Sequence, residues 1–167
     1  MIALKILDLQ DFMNKLLIGT DFDRFGLVEA SITNFNTFSI DGKIQRDFFD
    51  TDDGSLIEQR HLYYSPWKEV KTWCYSVMRG KRTPLAFKIV FQLSHNHMES
   101  FFKELPPTIS PDLIRGLYLN IQYRNKELYI TSGISFQSFF ADKSPEHLWD
   151  SMICNYLKDH GIVFEIP

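Results

Sequence analysis

Cysteine is scarce in this 167-residue chain, which holds only Cys74 and Cys154 and no Cys-x-x-Cys pair. That shortage excludes a disulfide scaffold and gives no support to a zinc ribbon or thioredoxin-type site. Both cysteines fall on apolar faces of helical patterns, as reduced, buried thiols do. Long hydrophobic runs are missing too: no stretch approaches the roughly 18 apolar residues of a membrane span. The opening Met-Ile-Ala-Leu-Lys, with Asp8 and Asp11 close behind, lacks the basic region, apolar run and small-residue cleavage site of a signal peptide. The expectation is a soluble, cytoplasmic protein. Positive charge is in deficit, 18 Lys and Arg against 21 Asp and Glu for a net −3. A general electrostatic grip on nucleic acid is therefore disfavoured, although a local basic patch is not. Nucleophile motifs are absent, with no G-x-S-x-G, and no two carboxylates stand out as an acid–base pair.

What the chain does have is hydrophobic material: 44% of residues, 15% aromatic, including 15 Phe. That suffices for a sizeable core without disulfides or metals. The length fits a single domain, and the internal pattern divides it into two similar halves, about 1–84 and 85–167. Ala-Leu-Lys-Ile at 3–6 and Ala-Phe-Lys-Ile at 86–89 each open a strand followed by a helix. Gly26-Leu27 and Gly116-Leu117 then lead hydrophobic strands. Phe48-Phe49 and Phe139-Phe140 close the strand regions, and Ser65-Pro66 and Ser144-Pro145 introduce the last helix of each half.

Period decides the elements. Asp8 can cap a helix whose stripe is Leu9, Phe12, Met13, Leu16 and Leu17. Alternation from Leu27 to Thr33 and again at 38–40 gives strands, and Asp41-Gly42 has the composition of a two-residue hairpin turn. A third strand is expected over 43–49, followed by an acidic loop at 50–54. Trp67, Val70, Cys74 and Val77 space as a helix. Phe87, Ile89, Phe91 and Leu93 alternate with Ala86, Lys88, Val90 and Gln92 in the clearest strand. A short helix through Leu105 follows it. Leu117, Leu119, Ile121 and Tyr123 alternate with Tyr118, Asn120, Gln122 and Arg124, Asn125-Lys126 turns the chain, and strands follow at 127–132 and 134–140. The last helix carries Leu148, Trp149, Met152, Ile153, Tyr156 and Leu157. The expected class is α+β, a tandem pseudo-repeat βαβββα-βαβββα-β. Its antiparallel sheet has one face covered by four helices and the other open.

Two resemblances follow from these residues. The segments Phe35-Asn36-Thr37-Phe38-Ser39-Ile40-Asp41-Gly42-Lys43 and Gly80-Lys81-Arg82-Thr83-Pro84-Leu85-Ala86-Phe87-Lys88-Ile89 resemble an uncharacterised family of gut anaerobic bacteria, a domain of unknown function. That resemblance implies no activity. The duplicated element order resembles the TATA-box-binding-protein fold and, secondarily, sliding DNA clamps. Its implication for function rests on element order alone. The chain departs from the TATA-binding pattern in being acidic and in lacking two recognisable pairs of Phe wedges.

The best metal-like cluster is His95-Asn96-His97 with Glu99, a weak candidate without spaced third and fourth ligands. Asp50-Thr51-Asp52-Asp53-Gly54 breaks the calcium-loop spacing. Arg79, Lys81 and Arg82 are candidate phosphate contacts, although cations at a helix C-terminus already complement its dipole. No metal, cofactor or catalytic residue is assigned. The remaining candidate is the open sheet face, where Lys88, Gln92, Tyr118, Asn120, Gln122, Arg124, Tyr129 and Thr131 present amide, hydroxyl and cationic groups to a polar ligand, peptide or oligonucleotide. The favoured reading is a non-enzymatic binding or adaptor module for an unknown protein or polar ligand. Nucleic acid is the disfavoured alternative. An enzyme would need His61, His147 or His160 to meet a carboxylate through folding.

Overall fold

The computed structural model describes residues 1–59 and 62–167. It is a mixed α+β fold in which one antiparallel sheet carries its helices on one face. Strands β1 (Ala3–Ile6), β2 (Phe25–Thr33), β3 (Thr37–Asp41), β4 (Ser65–Pro66), β5 (Ala86–Leu93), β6 (Ile114–Arg124), β7 (Glu127–Phe136) and β8 (Phe164–Glu165) alternate with five α-helices. These are α1 (Leu9–Leu17), α2 (Thr51–Gln59), α3 (Trp67–Met78), α4 (Glu99–Glu104) and α5 (Ser144–Asp159). Across the sheet the order is β3-β2-β5-β6-β7-β1-β8, with β4 also pairing β2. No helix among the described residues is long and apolar enough to cross a membrane.

Alternation in β5 and β6 does what a period of two requires. Phe87, Ile89, Phe91 and Leu93 pair in register with Tyr123, Ile121, Leu119 and their neighbours on the helix-covered face. Beneath the helices, Phe25 stacks on Phe91 at 5.4 Å between ring centres, with Phe22 tilted against both and Trp67 edge-on to Phe91. Of the expected helix stripes, Phe12, Leu16, Cys74 and Tyr156 are buried, while Val70, Val77, Leu148 and Met152 are half-buried against the same core. Asp8 caps α1 by accepting from the Asp11 N–H at 3.0 Å. Asn125 and Lys126 form the β6–β7 turn at φ of 53° and 63°, the left-handed pair that a tight hairpin needs.

Residues 41–59 depart from expectation. Asp41-Gly42 is not a hairpin turn; the β2–β3 turn is at 34–36, where Asn34 N–H donates to Asn36 O. Gly42 instead passes against the bulge in β2, its N–H bonded to Val28 O and its carbonyl accepting from Ser65 N–H. A Cβ there would stand 1.7 Å from Leu27 O, so the position requires glycine for space. The third strand expected over 43–49 is absent. Only an isolated Lys43–Tyr64 bridge and a short 3-10 turn at Arg46–Phe48 stand there. The acidic loop is the first turn of α2, with Asp50 Oδ1 accepting from Asp53 N–H at 2.9 Å. Ser65-Pro66 forms β4 immediately ahead of the helix, and α3 starts at Trp67. In the second half, β7 is one continuous strand where two were expected. The described order thus has βαββ beginning each half, without the expected third strand in either. Pairing is also unequal: β5 lies between β2 and β6, whereas its counterpart β1 lies between β7 and β8.

Candidate functional site: the open sheet face and its cleft

The face turned away from the core is built from the alternate positions of the same strands. Register places Lys88 beside Gln122 and Gln122 beside Tyr129; Val90, Asn120 and Thr131 form the next row, and Gln92 with Tyr118 the row beyond. Arg124 stands opposite Ala86 and Glu127 at the far end. All eight residues expected on this face therefore occupy it. Several are already engaged. Lys88 Nζ is 3.3 Å from Glu29 Oε1, so its charge is balanced on the face itself. Tyr129 donates to Glu127, which also holds Lys5 at 2.8 Å. Asn120, at the centre, has a buried side-chain oxygen with no hydrogen-bond partner among the described residues.

At the end where β2 and β6 begin, the face deepens into a cleft of about 860 Å³. Its floor includes Gln92, Tyr118 and Ser135; its walls come from 62–66 and 94–98, with Tyr64, Lys68, Glu69 and Arg115 around the opening. Gln92 Nε2 donates to Tyr118 Oη at 3.1 Å. Gly116 makes that contact available: a Cβ there would lie 2.5 Å from Gln92 Nε2 and 2.8 Å from Tyr118 Oη. Behind the sheet, Trp149 Nε1 donates to Tyr118 O at 3.1 Å and fixes the strand from the helix side. Burial, reinforced by Tyr118, Tyr63 and Asp41, raises the Tyr64 phenol above its ordinary value, so it stays a neutral donor–acceptor. The site can hydrogen-bond in both directions without committing net charge. Residues 62–66 and Arg115 were outside the sequence candidates, because only their return onto the sheet brings them to Gln92 and Tyr118.

The other candidates separate. Arg79 and Arg82 border an apolar groove between α1 and α3, on the helix side; Lys88 and Arg124 border a shallow depression on the open side. The β5–β6 ladder lies between the two basic groups, and Lys81 is exposed. His95 borders the cleft, and His97 Nδ1 is 2.6 Å from Ser94 Oγ. Among the described residues, no three His, Cys, Asp or Glu side chains are grouped as metal ligands. His61 lies outside the described residues. His147 is exposed on α5, and His160 stacks against Tyr156 with Nδ1 2.8 Å from the Tyr156 carbonyl oxygen.

No curated protein and no solved structure matches the chain. A family model does match, over residues 15–165. That span takes in the last turn of α1, every strand of the open face except β1, and all the walls of the cleft. The chain belongs to DUF5721, a family of unknown function.

Proposed function

We propose that this protein is a binding module that holds a small polar ligand in the cleft at the Gln92–Tyr118 end of its open sheet face. The observation that carries the reading is the space left by Gly116, into which the amide and phenol of Gln92 and Tyr118 close as a polar floor. Cavities of this size, with a few convergent polar groups, are the usual form of a ligand site. The wall charges are mixed, Lys68 and Arg115 with Asp23 and Glu69, which favours a neutral or zwitterionic molecule over a polyanion. No catalytic step is assigned to it. The test is native mass spectrometry of the purified protein, with a small-molecule screen by thermal shift. A ligand carried by the wild type and lost from Tyr118→Phe and Gln92→Ala variants supports the reading. Retention of the same ligand by both folded variants, or no ligand from either approach, rejects it.

A further inference from the structure

The groove on the helix side is a different kind of site, and its chemistry is the inverse of the molecule's. It encloses about 400 Å³ between α1, which lines it from Leu9 to Leu17, and the end of α3. Met13, Met78, Phe87 and Tyr123 are among its walls, with the Phe87 and Tyr123 rings stacked at 5.2 Å. Methionine side chains adapt to irregular apolar shapes. In a chain with excess acid, no Asp or Glu among the described residues lines this groove, whereas Arg79 and Arg82 do. Neither guanidinium has an ion-pair partner among the described residues. We propose that the groove binds a medium-chain monocarboxylate, its tail along the apolar walls and its head between Arg79 and Arg82.

The charge of the head follows from the helix ends. The positive end of α1 is already offset by the Asp8 carboxylate that caps it. The end of α3, which carries the negative pole, has no described side-chain cation bonded to its carbonyls. That pole opposes any anion, a dianion about twice as strongly as a monoanion, so the attraction must come from the two guanidiniums. A single carboxylate needs only the planar guanidinium forks, which match its two oxygens.

Isothermal titration of the full chain with decanoate, below its micellar concentration, tests the proposal. Decan-1-ol and decyl phosphate are the comparison ligands, and the Arg79→Ala/Arg82→Ala double variant is the comparison protein. The expected result is one saturable decanoate site. Affinity should fall by about tenfold or more for the alcohol and for the double variant, since a charge-assisted pair is lost in each. Decyl phosphate should bind more weakly than decanoate. Tyr118→Phe, in the cleft on the other face, should leave decanoate binding unchanged. No saturable binding, equal affinity for the alcohol, tighter binding of the phosphate, or an unaltered affinity in the folded double variant would each overturn it. The ligand comparison on the wild type decides the matter even if the double variant does not fold.

Discussion

Two glycines, Gly42 and Gly116, are small for steric reasons but at different consequence. At Gly42 the obstacle is the Leu27 backbone itself, 1.7 Å from a Cβ, and backbone in a paired strand cannot swing aside. Gly42→Ala should therefore cost about 1–3 kcal/mol or more, read as a lowered midpoint in denaturant. At Gly116 the obstacles are the ends of the Gln92 and Tyr118 side chains. Gly116→Ala should separate that pair with a smaller stability loss while abolishing ligand retention, a split that distinguishes the two positions. Cys74 makes a further residue-level prediction. Burial pushes its thiol up to about 11, so a thiol reagent at neutral pH should label it only as the protein opens. Rapid labelling of Cys74 in the native state would contradict its placement. His97 sets a pH dependence. Burial, then the nearby Arg24, holds its imidazole below the ordinary value. The unfolded chain therefore takes up the proton first. Stability is complete above the unfolded value of about 6.5 and declines as pH falls through it. Denaturant midpoints from pH 8 to 5 should show this decline, and His97→Gln should flatten it.

Elements show where the sequence was readable and where it was not. The strands β5 and β6 were legible because every second residue is apolar and the other face is polar, and that same alternation located the eight open-face residues. Helices α1, α3 and α5 were legible from their stripes. The stretch 41–59 was not, for a physical reason: Asp-Gly is favoured in tight turns, but here glycine is needed for close approach to a bulge, which no local pattern records. Helix α2 has no strong apolar stripe and contains Gly54, so its sequence carries no helical pattern. The cleft was half legible, since Gln92 and Tyr118 lie on a readable face but their wall arrives through that unreadable excursion. Lys71 joins two elements in a way that spacing also conceals. It is a buried cation on α3 whose Nζ donates to Gly19 O at 2.7 Å and to Asp23 Oδ1 at 2.8 Å, pinning the turn after α1. Lys71→Met should leave Asp23 and the Gly19 carbonyl without that donor and cost roughly 2–4 kcal/mol, the low side of a fully buried pair because Asp23 retains some solvent. Chemical denaturation would measure it, and a loss below about 0.5 kcal/mol would show the pair to be energetically idle.

At the scale of the molecule, strands from the two halves are interleaved. β2 pairs with β5 over eight residue pairs, and β1 lies between β7 and β8. A chain divided at residue 84 would leave Leu4 without its partner on β7, Ile6 without its partner on β8, and β5 without β2. We therefore expect residues 1–167 to unfold as one cooperative unit. Far-ultraviolet and near-ultraviolet circular dichroism should give coincident thermal transitions, and neither half expressed alone should show a cooperative one. Two separated transitions would mean that the halves are independent domains.

The position of β1 also bears on how the protein is made. Ile2 N–H bonds Ser132 Oγ across 130 residues of chain, and Ser132 in turn donates to Asp150 on α5. β1 leaves the ribosome roughly 125 to 160 residues ahead of β7 and β8, the strands it pairs with. At bacterial to eukaryotic elongation rates the wait is roughly 7–25 s, during which two residues destined to be fully enclosed, or nearly so, have nowhere to go. Central pairing of β5, β6 and β7 can begin from a local hairpin, but the sheet cannot close on its β1 side until afterwards. Over that interval the unpaired apolar strand should make the nascent chain more prone to aggregate than its equilibrium stability would suggest.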